Sequence, residues 1–288
     1  MHILTFDLED WFHILDHEST KSEIEWLEFE QRFEKGLDVI LELLASLNQK
    51  ATFFCVGWVA RKYPHCIKQI AKSGFELASH SDMHQLIYGQ NRSEFLDDVR
   101  RSILTIEDIT GEKVRAYRAP GFSLTKQSLW MLEALVDLGV EIDCSVFSSR
   151  RAHGGLPGAG IWGPTKIKVA NGLLREFPVS ALRYANVNMF FSGGGYFRLL
   201  PYFLINFAMR RSDYVMTYFH PRDFDSGQPL LNDLGLLRKI RTYFGVRSAF
   251  PKLRRLLRDF NFIDLRTADE LIDWSRQKTV SFGGEAGV

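Results

Sequence analysis

Two carboxylates and two histidines stand in short clusters near the start of the chain, and all four residue types can bind or assist a metal ion. Asp7 and Glu9 lie in Thr-Phe-Asp-Leu-Glu-Asp, and His80 and His84 lie in His-Ser-Asp-Met-His. Side chains two apart on a strand point to the same side, and side chains four apart share one side of a helical turn. Two imidazoles and one carboxylate can hold a divalent ion while the second carboxylate acts as a base. The pattern therefore predicts a metal-dependent hydrolase.

The elements that must position these side chains alternate along the chain. Apolar residues with helical spacing from Phe33 to Leu47 precede a β-rich run at residues 51–56, and two further helices are predicted to end at Gly111 and Gly139. This alternation predicts an α/β fold, an irregular (β/α) barrel of about seven parallel strands with additional loops and C-terminal helices. Further strands are predicted at residues 75–79, 114–117, 140–142, 173–179, 214–219 and 262–265.

Polar residues follow these strands at or just after their ends. Parallel strands in a barrel share one carboxyl-terminal face, which is where enzymes of this architecture build their sites. We therefore expect one group of side chains to converge there, namely Asp7, Glu9, His80, Arg118, Asp143 and His220.

The length and composition fit one large domain. The chain has 288 residues, 45% of them hydrophobic, which suffices for a substantial core. We predict a single catalytic domain over residues 1–279, including a C-terminal extension, and a disordered tail at residues 280–288, which are small, polar and glycine-rich. Cys55, Cys66 and Cys144 form no paired spacing, so neither a disulfide framework nor a thiolate zinc site is predicted.

The charges exclude a nucleic-acid-binding protein of the strongly basic kind, because 36 basic residues are balanced by 35 acidic ones. One local exception is the segment 238–258, which has eight basic residues and no acid. It is either a solvated helix face or a contact to an anionic membrane or lipid-linked glycan. A strand-like segment begins almost at Met1, and the N-terminus shows no secretory signal pattern. We therefore predict a cytoplasmic protein. If the segment 238–258 contacts a membrane, we expect the protein to lie at the inner face of that membrane.

Five short motifs together resemble those of the polysaccharide deacetylases, the carbohydrate esterase family 4 enzymes that share the chitooligosaccharide deacetylase homology domain. They are Thr5-Phe6-Asp7, His80-Ser81-Asp82-Met83-His84, Tyr117-Arg118-Ala119-Pro120-Gly121, Asp143-Cys144-Ser145 and Phe219-His220-Pro221. The resemblance implies that Asp7 is the general base and that His80 and His84 bind the metal. It implies that Arg118 orients the base and that a backbone N–H near Gly121 or Phe122 binds the oxyanion. His220 would be the general acid, with Asp143 as its partner.

One departure from the family pattern concerns the first motif. Its commonest form has two adjacent aspartates, a base and then a metal ligand, but Leu8 stands in the second place here. The ligand is then Glu9 or Asp10, and strand alternation favours Glu9. The stretch from Gly194 to Tyr202 also resembles a subgroup associated with bacterial exopolysaccharide assembly.

The resemblance implies that the protein removes an N-acetyl group from an aminosugar in a glycan or glycan precursor and releases acetate. Zinc is the favoured ion, since two imidazoles and a carboxylate suit it, and cobalt, manganese and iron are alternatives. Two other functions stay open at this point. One is a metal-dependent amidase acting on a small cyclic or linear amide, and the other is a glycan-binding module without catalysis.

Overall fold

The computed structural model of the protein describes residues 1–15, 17, 20, 22–184, 187–231 and 234–282. The chain divides into two compact units. The first unit contains Met1–Phe53 and Ser180–Ala268, and the second contains Phe54–Val179 and the residues from Asp269 onward. The single catalytic domain predicted over residues 1–279 stays a prediction.

The first unit contains short strands and most of the C-terminal helices. With elements numbered in chain order, its strands are β1 (His2–Ile3), β2 (Thr5–Leu8), β9 (Leu182–Tyr184), β10 (Val187–Met189) and β11 (Val215–Met216). Its helices are α1 (Glu23–Glu28), α2 (Phe33–Ser46), α7 (Gly194–Leu199), α8 (Tyr202–Arg211), α9 (Leu236–Tyr243) and α10 (Val246–Asp259). Strand β3 (Thr52–Cys55) and helix α11 (Leu265–Leu271) each have residues in both units.

The N-terminal strand segment organises the first unit. β1 is parallel to β11, and Phe6 of β2 forms a parallel bridge with Phe219. On the other edge, the Thr52 N–H donates to the Leu4 carbonyl at 3.0 Å. Helix α2, predicted from its apolar spacing, forms as expected and buries Phe33, Leu37, Ile40, Leu41 and Leu44.

The second unit is built on a mostly parallel sheet, so the predicted α/β class is confirmed. Its strands are β4 (Glu76–Ser79), β5 (Ala116–Tyr117), β6 (Ile142–Asp143), β7 (Thr165–Val169), β8 (Gly172–Glu176) and β12 (Thr279–Ser281). With β3 they have the order β12-β7-β8-β6-β5-β4-β3, in which β7 pairs antiparallel with β8. The helices are α3 (Gly57–Lys62), α4 (Pro64–Lys72), α5 (Arg92–Thr110) and α6 (Trp130–Asp137).

The predicted ends of α5 and α6 are confirmed, because Gly111 and Gly139 both adopt the left-handed conformation that commonly terminates a helix. Strand-like pairing at residues 262–265 is limited to a bridge between Ile263 and Ile3, since α11 begins at Leu265. The glycine-rich stretch 193–195 leads directly into α7, which begins at Gly194.

The tail prediction is wrong for residues 280–282. Val280 and Ser281 belong to β12, which pairs in parallel with β7, and the Phe282 N–H donates to the Lys168 carbonyl. Residues 283–288 lie outside the described part of the chain. Across the residues that the structure does describe, no helix is both long enough and apolar enough to span a bilayer.

Candidate functional site

In the first unit, two adjacent parallel strand segments bring Asp7, Glu9 and His220 together. The Asp7 N–H donates to the Phe219 carbonyl at 2.7 Å, so His220 follows directly beside the end of β2. The His220 Nε2 atom lies 3.8 Å from Asp7 Oδ2 and 3.5 Å from Glu9 Oε1. Both carboxylates are buried. The sequence-predicted base, acid and carboxylate ligand of this unit are therefore neighbours.

His220 is held from its other side by Asp223, which the sequence analysis missed. Asp223 Oδ2 accepts hydrogen bonds from both the backbone N–H and the Nδ1–H of His220, each at 2.9 Å. Asp223 Oδ1 lies 3.1 Å from Nε of the buried Arg198. The carboxylate partner of His220 is thus Asp223 in place of the predicted Asp143, because residues 221–224 form a 3₁₀ turn that folds the carboxylate back onto the ring.

The charges around His220 favour its protonated form. Burial alone would lower the pKa of His220, but the Glu9 and Asp223 carboxylates raise it above its usual value. Burial likewise opposes ionisation of Asp223, yet the nearby His220 and Arg198 charges lower the pKa of Asp223 to about 2. An imidazolium with a fixed carboxylate partner is suited to donating a proton to a leaving group.

The carboxylate of Asp10, the alternative metal ligand, accepts hydrogen bonds from backbone N–H groups. Asp10 Oδ2 accepts hydrogen bonds from the Arg32 and Phe33 N–H groups at 3.0 Å each, at the start of α2, and Oδ1 accepts one from the Trp11 N–H at 2.7 Å. Burial raises the pKa of Asp10 to about 6 despite these bonds. Its carboxylate therefore caps a helix. This use favours Glu9, whose nearby cation is Arg222 at 3.4 Å.

In the second unit, His80 and His84 follow β4 and have ring centroids 5.1 Å apart. His80 Nδ1 lies 2.8 Å from the Arg118 carbonyl oxygen. Because a carbonyl can only accept, Nδ1 carries the proton and the lone pair belongs to Nε2, the form in which an imidazole binds a metal. The two rings are buried and close enough to act on one ion.

The segment between the two histidines is a bend and not the predicted helical turn. Ser81 and His84 have positive φ angles of 64° and 52°. The N–H groups of Asp82 and Met83 donate to the buried Asp98 carboxylate at 2.8 and 3.0 Å. These bonds and the unusual backbone fix the bend that positions both imidazoles.

Arg118 is fully buried, and its guanidinium lies 3.9 Å from the centroid of the Phe54 ring. Its predicted action on Asp7 stays a prediction. Of the two predicted oxyanion donors, the Phe122 N–H already donates to the Ala119 carbonyl at 3.1 Å, so Gly121 is the better candidate. Gly121 and Phe122 both have positive φ, at 61° and 52°.

Asp143 contacts a second buried acid that sequence reasoning missed. Asp143 and Glu176 are register partners on β6 and β8. Ser145 Oγ donates to Asp143 Oδ1 at 2.5 Å, and the Val146 N–H donates to Glu176 Oε1 at 3.1 Å. The other oxygen of each carboxyl group, Asp143 Oδ2 and Glu176 Oε2, is buried and has no donor among the described residues. Burial raises the pKa of Asp143 to about 6 and that of Glu176 well above its usual value. A proton on Glu176 would supply the missing donor, and we therefore predict that the two acids share one proton.

Two family models match the sequence. The model described as Polysaccharide deacetylase matches residues 17–141, which include His80, His84 and Arg118. The model described as Domain of unknown function (DUF3473) matches residues 144–270, which include His220 and Asp223. Asp7 and Glu9 precede both matched ranges.

The chain is also similar to proteins with names or solved structures. It is 30% identical over 107 residues to a peptidoglycan-N-acetylglucosamine deacetylase from Bacillus cereus, a match that covers 35% of this chain and only 39% of that protein. A Mycobacterium smegmatis crystal structure assigned to the polysaccharide deacetylases has a TM-score of 0.68 at 18% identity, covering 100% of this chain and 94% of that one. A carbohydrate esterase family 4 pseudoenzyme from Bacillus anthracis has a TM-score of 0.51 at 15% identity, covering 99% and 69%. The two structures share the fold with this chain.

Proposed function

Because the chain belongs to the polysaccharide deacetylase family, we propose that it hydrolyses the N-acetyl group of an aminosugar in a glycan or glycan precursor and releases acetate. The observation that carries this proposal is the position of His220, with Asp7 and Glu9 on one side of its ring and Asp223 on the other. A base and an acid beside one another are what amide hydrolysis needs.

We propose Glu9, His80 and His84 as the ligands of a divalent ion, as the sequence motifs imply. The donor chemistry fits zinc, with cobalt, manganese and iron as alternatives. The hydrogen bond from His80 Nδ1 to the Arg118 carbonyl supports the fit because it leaves the Nε2 lone pair for a ligand bond. A bound ion would polarise the acetamide carbonyl and make water more acidic.

The protein's own groups then divide the proton transfers. Asp7 accepts the proton of the attacking water, and His220 donates a proton to the leaving amine. Asp223 holds the imidazole in one orientation and stabilises its charged form. Arg118 would orient Asp7, as the family resemblance implies, and the Gly121 N–H would contribute to oxyanion binding. Asp143 would instead stabilise the second unit, through its hydrogen bond with Ser145 and its pairing with Glu176.

The name of the curated relative suggests the first substrate class to try, which is glycans that contain N-acetylglucosamine. A precursor used in exopolysaccharide assembly is the narrower alternative that the residues 194–202 suggest. The predicted cytoplasmic location and the predicted membrane contact of the segment 238–258 stay predictions.

The test is acetate release by the purified protein from chitooligosaccharides, peptidoglycan fragments, acetylated nucleotide sugars and small cyclic amides. We expect release from at least one acetylated sugar and loss of that release in His220→Gln. Activity on cyclic amides alone would favour the amidase. Sugar binding without acetate release from any substrate would favour a non-catalytic module, an outcome that the similarity to a pseudoenzyme makes worth measuring.

A further inference from the structure

The outer face of α8 exposes large apolar side chains in register. Phe203 is 68% exposed and Phe207 is 51% exposed, and Leu199 at the end of α7 is 45% exposed. Phe203 and Phe207 are four residues apart, so they lie on one face of the helix. Single exposed apolar residues are ordinary on a protein surface, but an aligned aromatic pair indicates a surface that contacts something apolar.

Basic residues complete the same face of α8. Arg210 and Arg211 occupy its last turn and are exposed, and the Arg211 guanidinium lies 5.5 Å from the centroid of the Phe207 ring. The sequence from Leu199 to Ser212 contains no acidic residue. The face is therefore aromatic toward its start and cationic toward its end.

Helix α10 extends the positive charge from beside α8. The Arg255 guanidinium lies 4.3 Å from the centroid of the Tyr202 ring, and the Tyr202 hydroxyl donates to Asp259 at 2.7 Å. Arg255 and Arg258 are three residues apart and exposed, so they share one face of α10. We call the four α8 residues Phe203, Phe207, Arg210 and Arg211, together with these two arginines, the α8–α10 surface.

We propose that the α8–α10 surface docks the protein on an anionic lipid bilayer. The phenylalanines would enter the boundary between headgroups and acyl chains, and the arginines would bind lipid phosphates. Charge complementarity identifies this occupant: the chain as a whole has a net charge of +1, whereas this surface has four exposed arginines beside two exposed aromatic rings.

The test is co-sedimentation of the full chain with phosphatidylcholine vesicles that contain or lack phosphatidylglycerol. We expect binding to the anionic vesicles, weakening as salt is raised. Phe203→Ser with Phe207→Ser should lower the partition coefficient on the order of 10²-fold, and Arg210→Gln with Arg211→Gln should lower it roughly 30-fold. The matched control is Leu104→Ser, because Leu104 on α5 is 51% exposed and lies outside this surface.

Three results would overturn the proposal. They are failure of the unmodified chain to bind anionic vesicles, equal binding by the double phenylalanine variant, and binding that is indifferent to phosphatidylglycerol. If sedimentation velocity showed a dimer that the phenylalanine changes dissociate, the surface would belong to a second copy of the chain. Acetate release from soluble substrates should be the same in all these variants, so a failure here is distinguishable from a failure of the proposed function.

Discussion

Replacement of Asp223 by Asn tests whether this carboxylate supports the general acid. The pKa of Asp223 falls from 3.8 to about 2 on folding, because the His220 and Arg198 charges outweigh the opposing effect of burial. At 1.36 kcal/mol for each pKa unit, the ionised side chain stabilises the fold by about 2 kcal/mol. That stability is present above pH 4 and is lost as the pH falls toward 2, because the folded-state pKa is the lower one.

At pH 7, Asp223→Asn should therefore lower the free energy of unfolding by about 2 kcal/mol. This loss corresponds to a decrease of about 1 M in the urea concentration at the midpoint of unfolding. Turnover should fall on the order of 10²-fold, since the imidazolium loses its charged partner. Asp223 also raises the pKa of His220, so the alkaline limb of the pH–rate profile should move to lower pH. Urea denaturation followed by circular dichroism and acetate release across pH would measure these effects.

The matched control is Asp225→Asn, which removes a carboxylate that pairs with Arg32 at 2.5 and 2.9 Å and not with His220. We expect this variant to lose stability without any shift of the alkaline limb. If Asp223→Asn kept the limb in place and its turnover intact, Asp223 would have no part in the reaction and the reasoning would be refuted.

Three further substitutions test other parts of the account. Asp7→Asn should retain metal but lose on the order of 10²–10⁴ in turnover, and near-normal acetate release would remove Asp7 from the mechanism. Gly57→Ala places a Cβ atom 3.1 Å from Asp82 Cα, so it should shift the bend between His80 and His84. We expect its zinc affinity to fall about 10-fold in a competition titration. Gly89→Ala is the control, because its Cβ atom would enter open space and should leave the zinc affinity unchanged. Glu176→Gln keeps a hydrogen-bond donor for Asp143, so it should lower the free energy of unfolding by under about 1 kcal/mol. Glu176→Leu removes the donor and should lower it by about 2–4 kcal/mol, as measured by urea unfolding. Equal losses in the two variants would exclude the shared proton.

The sequence was sufficient for the residues that follow apolar runs. Asp7, His80, Arg118 and His220 each stand where a buried strand ends, and strand alternation and motif spacing both mark that position. Helix termination was equally visible, because Gly111 and Gly139 were the residues best able to adopt a left-handed backbone.

Contacts between segments far apart in sequence were not visible. Glu176 meets Asp143 because β8 pairs with β6, and nothing in either segment specifies that order. The Asp10 carboxylate accepts hydrogen bonds from backbone N–H groups 22 and 23 residues away. Its role as a helix cap therefore depends on where α2 packs, which the sequence does not show. The strand at residues 279–281 depends in the same way on pairing with β7. Asp223 is a different case, because it lies only three residues after His220 and follows Pro221 in a short turn, a local pattern that could have been noticed.

The most direct test of the central claim is the metal content of the protein after dialysis against zinc. Elemental analysis should find one ion per chain in the unmodified protein and in Asp7→Asn, and almost none in the double variant His80→Ala and His84→Ala. Equal zinc in the double variant, or no zinc in the unmodified chain, would contradict a metal centre built on these two histidines.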